Sequence, residues 1–367
     1  MSLPEIGQLR QALVEPGKLA HLTLPQWDHL IRLGRNADVL ARIATIVKAH
    51  PTLDILPAQP RLHLESANIL AERQRLELDS EVQFIVAALS SIACRVVLLK
   101  GAAYALAGLQ VAKGRLMSDV DILVPRERLP EVESALMMHG WVTEAKSAYD
   151  ERYYRTWMHE LPPMRHFHRG TVIDVHHAIL PISARFHPDS QALLKAARPA
   201  FAGSNVYVLS PIDMLLHSAS HLFHEGELEQ GFRGVVDLDA LLREFGPMDR
   251  FWKDLVPRAA SMELVRPLFY ALRYAHTLME TPTPSFVVSS LSAEHGAPKS
   301  RLFLAMMDFL FLRALRPTHR STSDRWTPLA RWILYLRGHW LRMPPRLLFI
   351  HLARKLFATP KNVSASP

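Results

Sequence analysis

The sequence predicts an α+β protein, with a small mixed β-sheet flanked by helices, N-terminal helices before it and a helical C-terminal domain after it. Three observations carry that expectation. Val96 to Leu99, Val120 to Val124 and Val172 to His176 have the length and apolar composition of buried strands. The stretches between them show helical spacing and end in glycine or proline. From Ser210 onward apolar positions recur at helical spacing almost without interruption.

Taken in order, Leu24 to Ala49 places Trp27, Leu30, Ile31, Leu33, Leu40, Ile43, Ile46 and Val47 at helical intervals, and Pro51, Pro57 and Pro60 break the pattern. A longer helix, rich in Ala, Glu, Gln and Leu, is expected over 64–89. It feeds the Val96 strand, which ends in Lys100-Gly101 before an Ala-rich helix over 102–109. A turn at Lys113-Gly114 precedes the strand of Asp119 and Asp121, which Pro125 closes. Leu129 to His139 reads as an amphipathic helix ended by Gly140, followed by an extended Trp141-Val142-Thr143. Residues 149–165 are aromatic and mixed in charge, and 167–179 form the strand or hairpin that carries Asp174. Helices then follow over 214–225, 235–245, 251–279 and 300–315. The expected division is an N-terminal helical region (1–62), a sheet-bearing core (63–205), a helical C-terminal domain (206–357) and a frayed tail (358–367).

Lys and Arg number 43 against 35 Asp and Glu, a net charge of +8, which favours anionic partners. The single cysteine, Cys94, excludes an internal disulfide framework and a multi-cysteine zinc site and fits a reducing compartment, so the cytoplasm is the expected location. Residues 1–17 lack the apolar run of a secretory signal, and arginines and prolines interrupt the most apolar late stretch, 332–357, so no spanning helix is expected.

Strand side chains alternate between faces, so Asp119 and Asp121 point the same way. Two carboxylates so placed repel unless a cation lies between them, and oxygen-only ligation suits Mg²⁺. Asp174 puts a third acid on a later strand. Together these residues suggest metal-dependent phosphoryl chemistry.

Leu98-Leu99-Lys100-Gly101, Arg115 to Val124 and Ile173-Asp174-Val175-His176 resemble the DNA polymerase β-type nucleotidyltransferase superfamily, and within it the bacterial family of uncharacterised nucleotidyltransferases. Pro25 to Ala49 and Ser210 to Leu242 are similar to that family's flanking helical regions. The resemblance implies a nucleotidyltransferase core that moves a nucleoside monophosphate from an NTP to an acceptor hydroxyl and releases pyrophosphate, using Mg²⁺ or Mn²⁺. It makes Asp119, Asp121 and Asp174 metal ligands, with Asp174 also helping the acceptor lose its proton. Lys100, Gly101, Arg115 and Ser118 would hold the nucleotide at a strand-to-helix turn. One departure stands out: the superfamily usually has Gly or Ser after the glycine, whereas Ala102 and Ala103 follow Gly101, which removes a hydroxyl donor.

His176 shares the face of Asp174, and His217 and His221 lie at i and i+4 on an expected helix. These three are candidates for an acceptor pocket, against a plain role as packed interface histidines. Arg115 has the alternative of a structural ion pair. A small-molecule or carbohydrate-linked acceptor is slightly favoured over nucleic acid. The C-terminal stretch, in which Arg337, Arg342, Arg346, Arg354 and Lys355 alternate with Trp and Phe, reads as a nucleic-acid groove, a peripheral membrane helix or arginines snorkelling over an apolar core. Two other functions compete: a metal-dependent glycosyltransferase using Asp-x-Asp, and a catalytically degenerate nucleotide-binding or interaction protein.

Overall fold

The computed structural model describes residues 4–50, 56–92, 95–144, 148–224, 226, 228–294 and 296–343. Cys94, the basic residues from Arg346 onward and the 358–367 tail lie outside them. Seven short strands form one mixed sheet: β1 (Val97–Leu98), β2 (Asp119–Leu123), β3 (Trp141–Thr143), β4 (Met164–His166), β5 (Val172–His176), β6 (Arg198–Pro199) and β7 (Tyr207–Val208). Their order is β3-β4-β5-β2-β1-β7-β6. β2 lies at the centre, antiparallel to β1 and parallel to β5. Val97, Leu98, Val120, Ile122, Leu123, Ile173 and Val175 are all buried, which is why these runs read as near-continuous apolar strands.

Helices make up most of the rest, and the expected α+β class holds. The N-terminal pattern resolves into helices Leu24–Asn36 and Leu40–Lys48, separated at Asp38, whose φ of 55° no continuous helix tolerates. The long helix runs Ala58–Ala88. The segment 149–165, assigned no element from sequence, contributes helix Ala148–Trp157 and then β4. Helix Pro211–His224 is followed by Gly231–Phe245. The single helix expected over 251–279 is two, Phe251–Ser261 and Val265–Met279, because Glu263 takes a left-handed φ of 58° between them. Helices Arg301–Ala314 and Thr327–Arg342 complete the described chain.

One buried apolar cluster extends from Ile6 to Leu334 and so joins the sheet to the helices on either side. Two ion pairs, each with a buried carboxylate and a partly exposed arginine, tie the pieces together. Asp213, with no solvent exposure, accepts two hydrogen bonds from Arg258, at 2.7 and 3.0 Å. Glu81 on the long helix accepts two from Arg169 beyond β4, at 2.8 and 2.9 Å.

Candidate active site

The site is built on the parallel β2–β5 pair. Its register sets Asp119 beside Val172 and Asp121 beside Asp174. Side chains of such partners project from the same face, as do those two residues on. Asp119, Asp121, Asp174 and His176 therefore share one face of the sheet.

Asp121 is buried, and its Oδ1 accepts hydrogen bonds from Lys100 Nζ at 2.9 Å and His176 Nε2 at 3.0 Å. Burial opposes its charge, but Lys100 and His176 outweigh burial and hold the carboxyl well below the usual carboxylate range. The reverse holds at Asp174. Its Oδ1 is buried with no hydrogen-bond partner among the described residues, and burial, together with the charges of Asp121 and Glu160, pushes its pKa to about 7. Asp119 stands at the exposed start of β2, where Ser118 Oγ donates to its Oδ1 at 3.0 Å.

Lys100 occupies the turn from β1 into helix Lys100–Leu106, with a φ of 46°. A left-handed conformation at a non-glycine residue is strained, and such strain concentrates at functional sites. Gly101 follows, and a Cβ there would lie 2.5 Å from Arg115 Nη1, so any larger residue would have to displace that guanidinium. Arg115 in turn donates from Nε to Asp237 Oδ2 at 2.9 Å, while Arg42 Nη2 donates to Asp237 Oδ1 at 3.0 Å. Arg115 thus directs its shorter hydrogen bond to a buried carboxylate, with a longer one to Leu116 O, although Asp119 also lies within its electrostatic reach.

Two residues that the sequence did not single out complete the cluster. Residues 159–161 run antiparallel to the end of β5, with Leu161 N donating to Val175 O at 2.9 Å and His177 N to His159 O at 2.8 Å. Glu160 and His176 are then opposite one another in a non-hydrogen-bonded pair, the kind in which side chains come closest. Glu160 Oε2 lies 3.2 Å from His176 Nδ1. Burial disfavours charge on His176, but Glu160 and Asp121 outweigh burial and hold the imidazole above its ordinary value. His159, also buried, is kept well below its ordinary value by burial and by the neighbouring His176 and Lys100. No local pattern marks this pair, since only the long-range pairing with β5 brings it to the site.

Helix Pro211–His224 supplies the remaining candidates. His217 is buried, and burial with nearby Lys100 and His176 lowers its pKa to about 3. His221 keeps solvent contact, yet crowding by protein atoms and Lys100 hold it well below its ordinary value. The helical spacing thus sets both histidines near Lys100. Of the sequence candidates, Lys100, Asp121, Asp174, His176, His217 and His221 converge, Asp119 sits at the rim with Ser118, and Arg115 turns to Asp237.

Two donor sets could hold a cation. The carboxylates of Asp119, Asp121 and Asp174 offer only oxygen, the chemistry Mg²⁺ selects. Among the described residues the group of three whose ligand atoms all lie within 4.8 Å of one another is mixed, His159, Glu160 and His176, and the three Asp carboxylates do not close to that spacing.

A small mixed sheet that aligns acids from two parallel strands beside a lysine, at the turn from its first strand into a helix, defines the class as the nucleotidyltransferase type. A family model described as an uncharacterised nucleotidyltransferase matches residues 24–280, and the chain belongs to that family. The resemblance to that family is thereby borne out. No curated protein matches the chain.

Proposed function

We propose that this nucleotidyltransferase moves a nucleoside monophosphate from an NTP to an acceptor hydroxyl, in a reaction that depends on Mg²⁺ or Mn²⁺. The observation that carries the reading is the in-register Asp121–Asp174 pair, in which Asp174 keeps a buried oxygen without a partner. A carboxyl destabilised by burial and by two like-charged neighbours is one whose charged form a divalent cation would favour. All-oxygen donors are the chemistry such an ion takes: Asp119, Asp121 and Asp174 would hold it, and it would neutralise charge on the phosphates.

The residues of the chain supply the rest. Lys100 brings a cation to the strand-to-helix turn, where it neutralises phosphate charge. The acceptor oxygen bonds to the α-phosphorus as the α–β phosphoanhydride bond breaks, pyrophosphate departs, and the hydroxyl proton passes to the Asp174 carboxylate. His176, tied to Asp121 and faced by Glu160, keeps the Asp121 carboxylate oriented. His217 and His221 lie near Lys100, and we assign them to the acceptor pocket. Their low pKa values leave them neutral, which suits a hydroxyl-bearing acceptor of small-molecule or carbohydrate type.

The test is incubation of the protein with Mg²⁺, cell extract and NTPs labelled at either the α- or the γ-phosphate. Label passing from the α position alone supports the reading, and transfer of γ-label or of nothing overturns it. A second reading, a relative that binds nucleotide without transferring it, draws on the alanines at positions 102 and 103 where a hydroxyl donor usually stands. Mg²⁺-dependent NTP binding with no pyrophosphate release would favour that alternative.

A further inference from the structure

Positive charge is concentrated at one end of this sequence. Between Arg325 and Pro367 lie eight Lys and Arg residues and no Asp or Glu. The two acids just before that stretch are already paired. Asp308 accepts from Arg273 Nε at 2.7 Å, and Asp324 from Arg313 Nε at 2.9 Å.

The apolar surface of the same region is exposed. Helices Arg301–Ala314 and Thr327–Arg342 pack on one another. The first turns Leu302, Met306 and Phe309 outward at i, i+4 and i+7, with 82, 48 and 41% exposure. The second follows with Trp326, Leu329 and Trp332 at 42, 41 and 57%. The Phe309 and Trp326 rings meet at a centroid distance of 6.4 Å, which joins the two faces. All three tryptophans of this region, Trp340 included, are exposed, whereas the other four of the chain are buried or half-buried.

Exposed tryptophans and aliphatic side chains, with the exposed Arg301 and Arg325 beside them, are what a lipid interface takes up together: rings settle at headgroup level, aliphatic groups below, and cations meet anionic headgroups. Nucleic acid fits less well. It needs open aromatic faces for base stacking, but Arg313 lies 3.8 Å over the Phe309 ring and Arg325 5.2 Å over Trp326, and Leu302, Met306 and Leu329 offer no stacking surface. We propose that this face docks the protein peripherally on an anionic membrane surface. No helix among the described residues is long and apolar enough to cross one.

The experiment is co-sedimentation of the full chain with phosphatidylcholine vesicles, with and without phosphatidylglycerol, at low and high salt. The expected result is binding only to the anionic vesicles, weakened by salt. The Trp326→Ala/Trp332→Ala double variant should bind about tenfold less while keeping its circular dichroism and melting temperature. Should that variant melt early, Leu302→Ser/Met306→Ser on the neighbouring helix provides the same reading. Three results would overturn the proposal: no sedimentation with anionic vesicles, binding indifferent to both variants, or a salt-stable dimer dissociated by the same substitutions. Single-stranded RNA that binds through these residues and displaces the vesicles would overturn it as well.

Discussion

Asp121 and Asp174 are partners across the parallel β2–β5 pair, yet their surroundings are opposite. Asp121 shares its Oδ1 between Lys100 and His176, whereas Asp174 holds a buried Oδ1 that nothing in the described residues satisfies. One carboxylate is stabilised by the fold and the other is a cost to it. The contrast separates the behaviour of three acids that local sequence would treat alike.

Removing Asp121 should damage both activity and stability. Asp121→Ala leaves Lys100 and His176 without their shared acceptor, and breaking a buried pair of this kind costs about 3–5 kcal/mol. Asp119, exposed at the strand start, has no such role, so Asp119→Ala should change stability by about 0.5 kcal/mol or less while still abolishing transfer. Urea denaturation beside a nucleotide-transfer assay distinguishes the two. Equal stability loss in both variants would contradict the assignment of Asp121 as the buried anchor.

Asp174→Asn should raise the stability of the metal-free protein as it removes activity. The folded state pushes this carboxyl up to about 7, so the wild type pays a penalty that grows as pH rises from the unfolded carboxylate range through 7. An amide escapes that penalty, and a gain of about 1 kcal/mol or more is expected at pH 8. Mg²⁺ should raise the melting temperature of the wild type but not of the variant. A variant less stable than wild type at pH 8 would count against the unsatisfied oxygen.

Glu160→Gln tests the support behind the site. The side chain touches His176, not the acids, so its loss should slow transfer about 10- to 100-fold with little change in NTP KM. A rise in KM with turnover intact would place Glu160 in substrate binding instead.

Gly101→Ala should destabilise by about 1–3 kcal/mol, because the added Cβ meets the Arg115 guanidinium that Asp237 holds in place. Shortening Arg115 to Ala should make the second change nearly free, so the double variant is expected to be strongly non-additive. Additive losses would show that the cost of the added Cβ does not come from Arg115.

His224 should give the fold an acid sensitivity of its own. Neither ring nitrogen has a hydrogen-bond partner among the described residues, and burial with Arg337 and Arg342 lowers its pKa to about 3. The folded form therefore prefers neutral imidazole: its contribution is intact above pH 6.5 and is lost as pH falls toward 3, by a few kcal/mol at about pH 4. His224→Phe, beside Phe186, should flatten the pH dependence of urea stability between 6.5 and 4. Unchanged slopes in the variant would assign the acid sensitivity to other buried histidines.

Alternation within Asp119-x-Asp121, the apolar runs that became β1, β2 and β5, and the helical spacing of His217 and His221 were legible because each depends on neighbours within a few residues. Arg115 was not. The structure shows the ion pair, and its partner is Asp237, 122 residues away, which no local pattern could name. The split at Glu263 also escaped the periodicity, since apolar spacing continues through a single left-handed residue.

The sequence by itself determined strands β1, β2 and β5, the common face of the acids, the α+β class and the family, because strand alternation and motif order are local properties of the chain. Tertiary structure decided which of the acids is anchored and which left unsatisfied, brought His159 and Glu160 to His176, and turned Arg115 toward the core. Those outcomes depend on strand register and on contacts between residues far apart in the chain, and burial then sets the charge each group can keep.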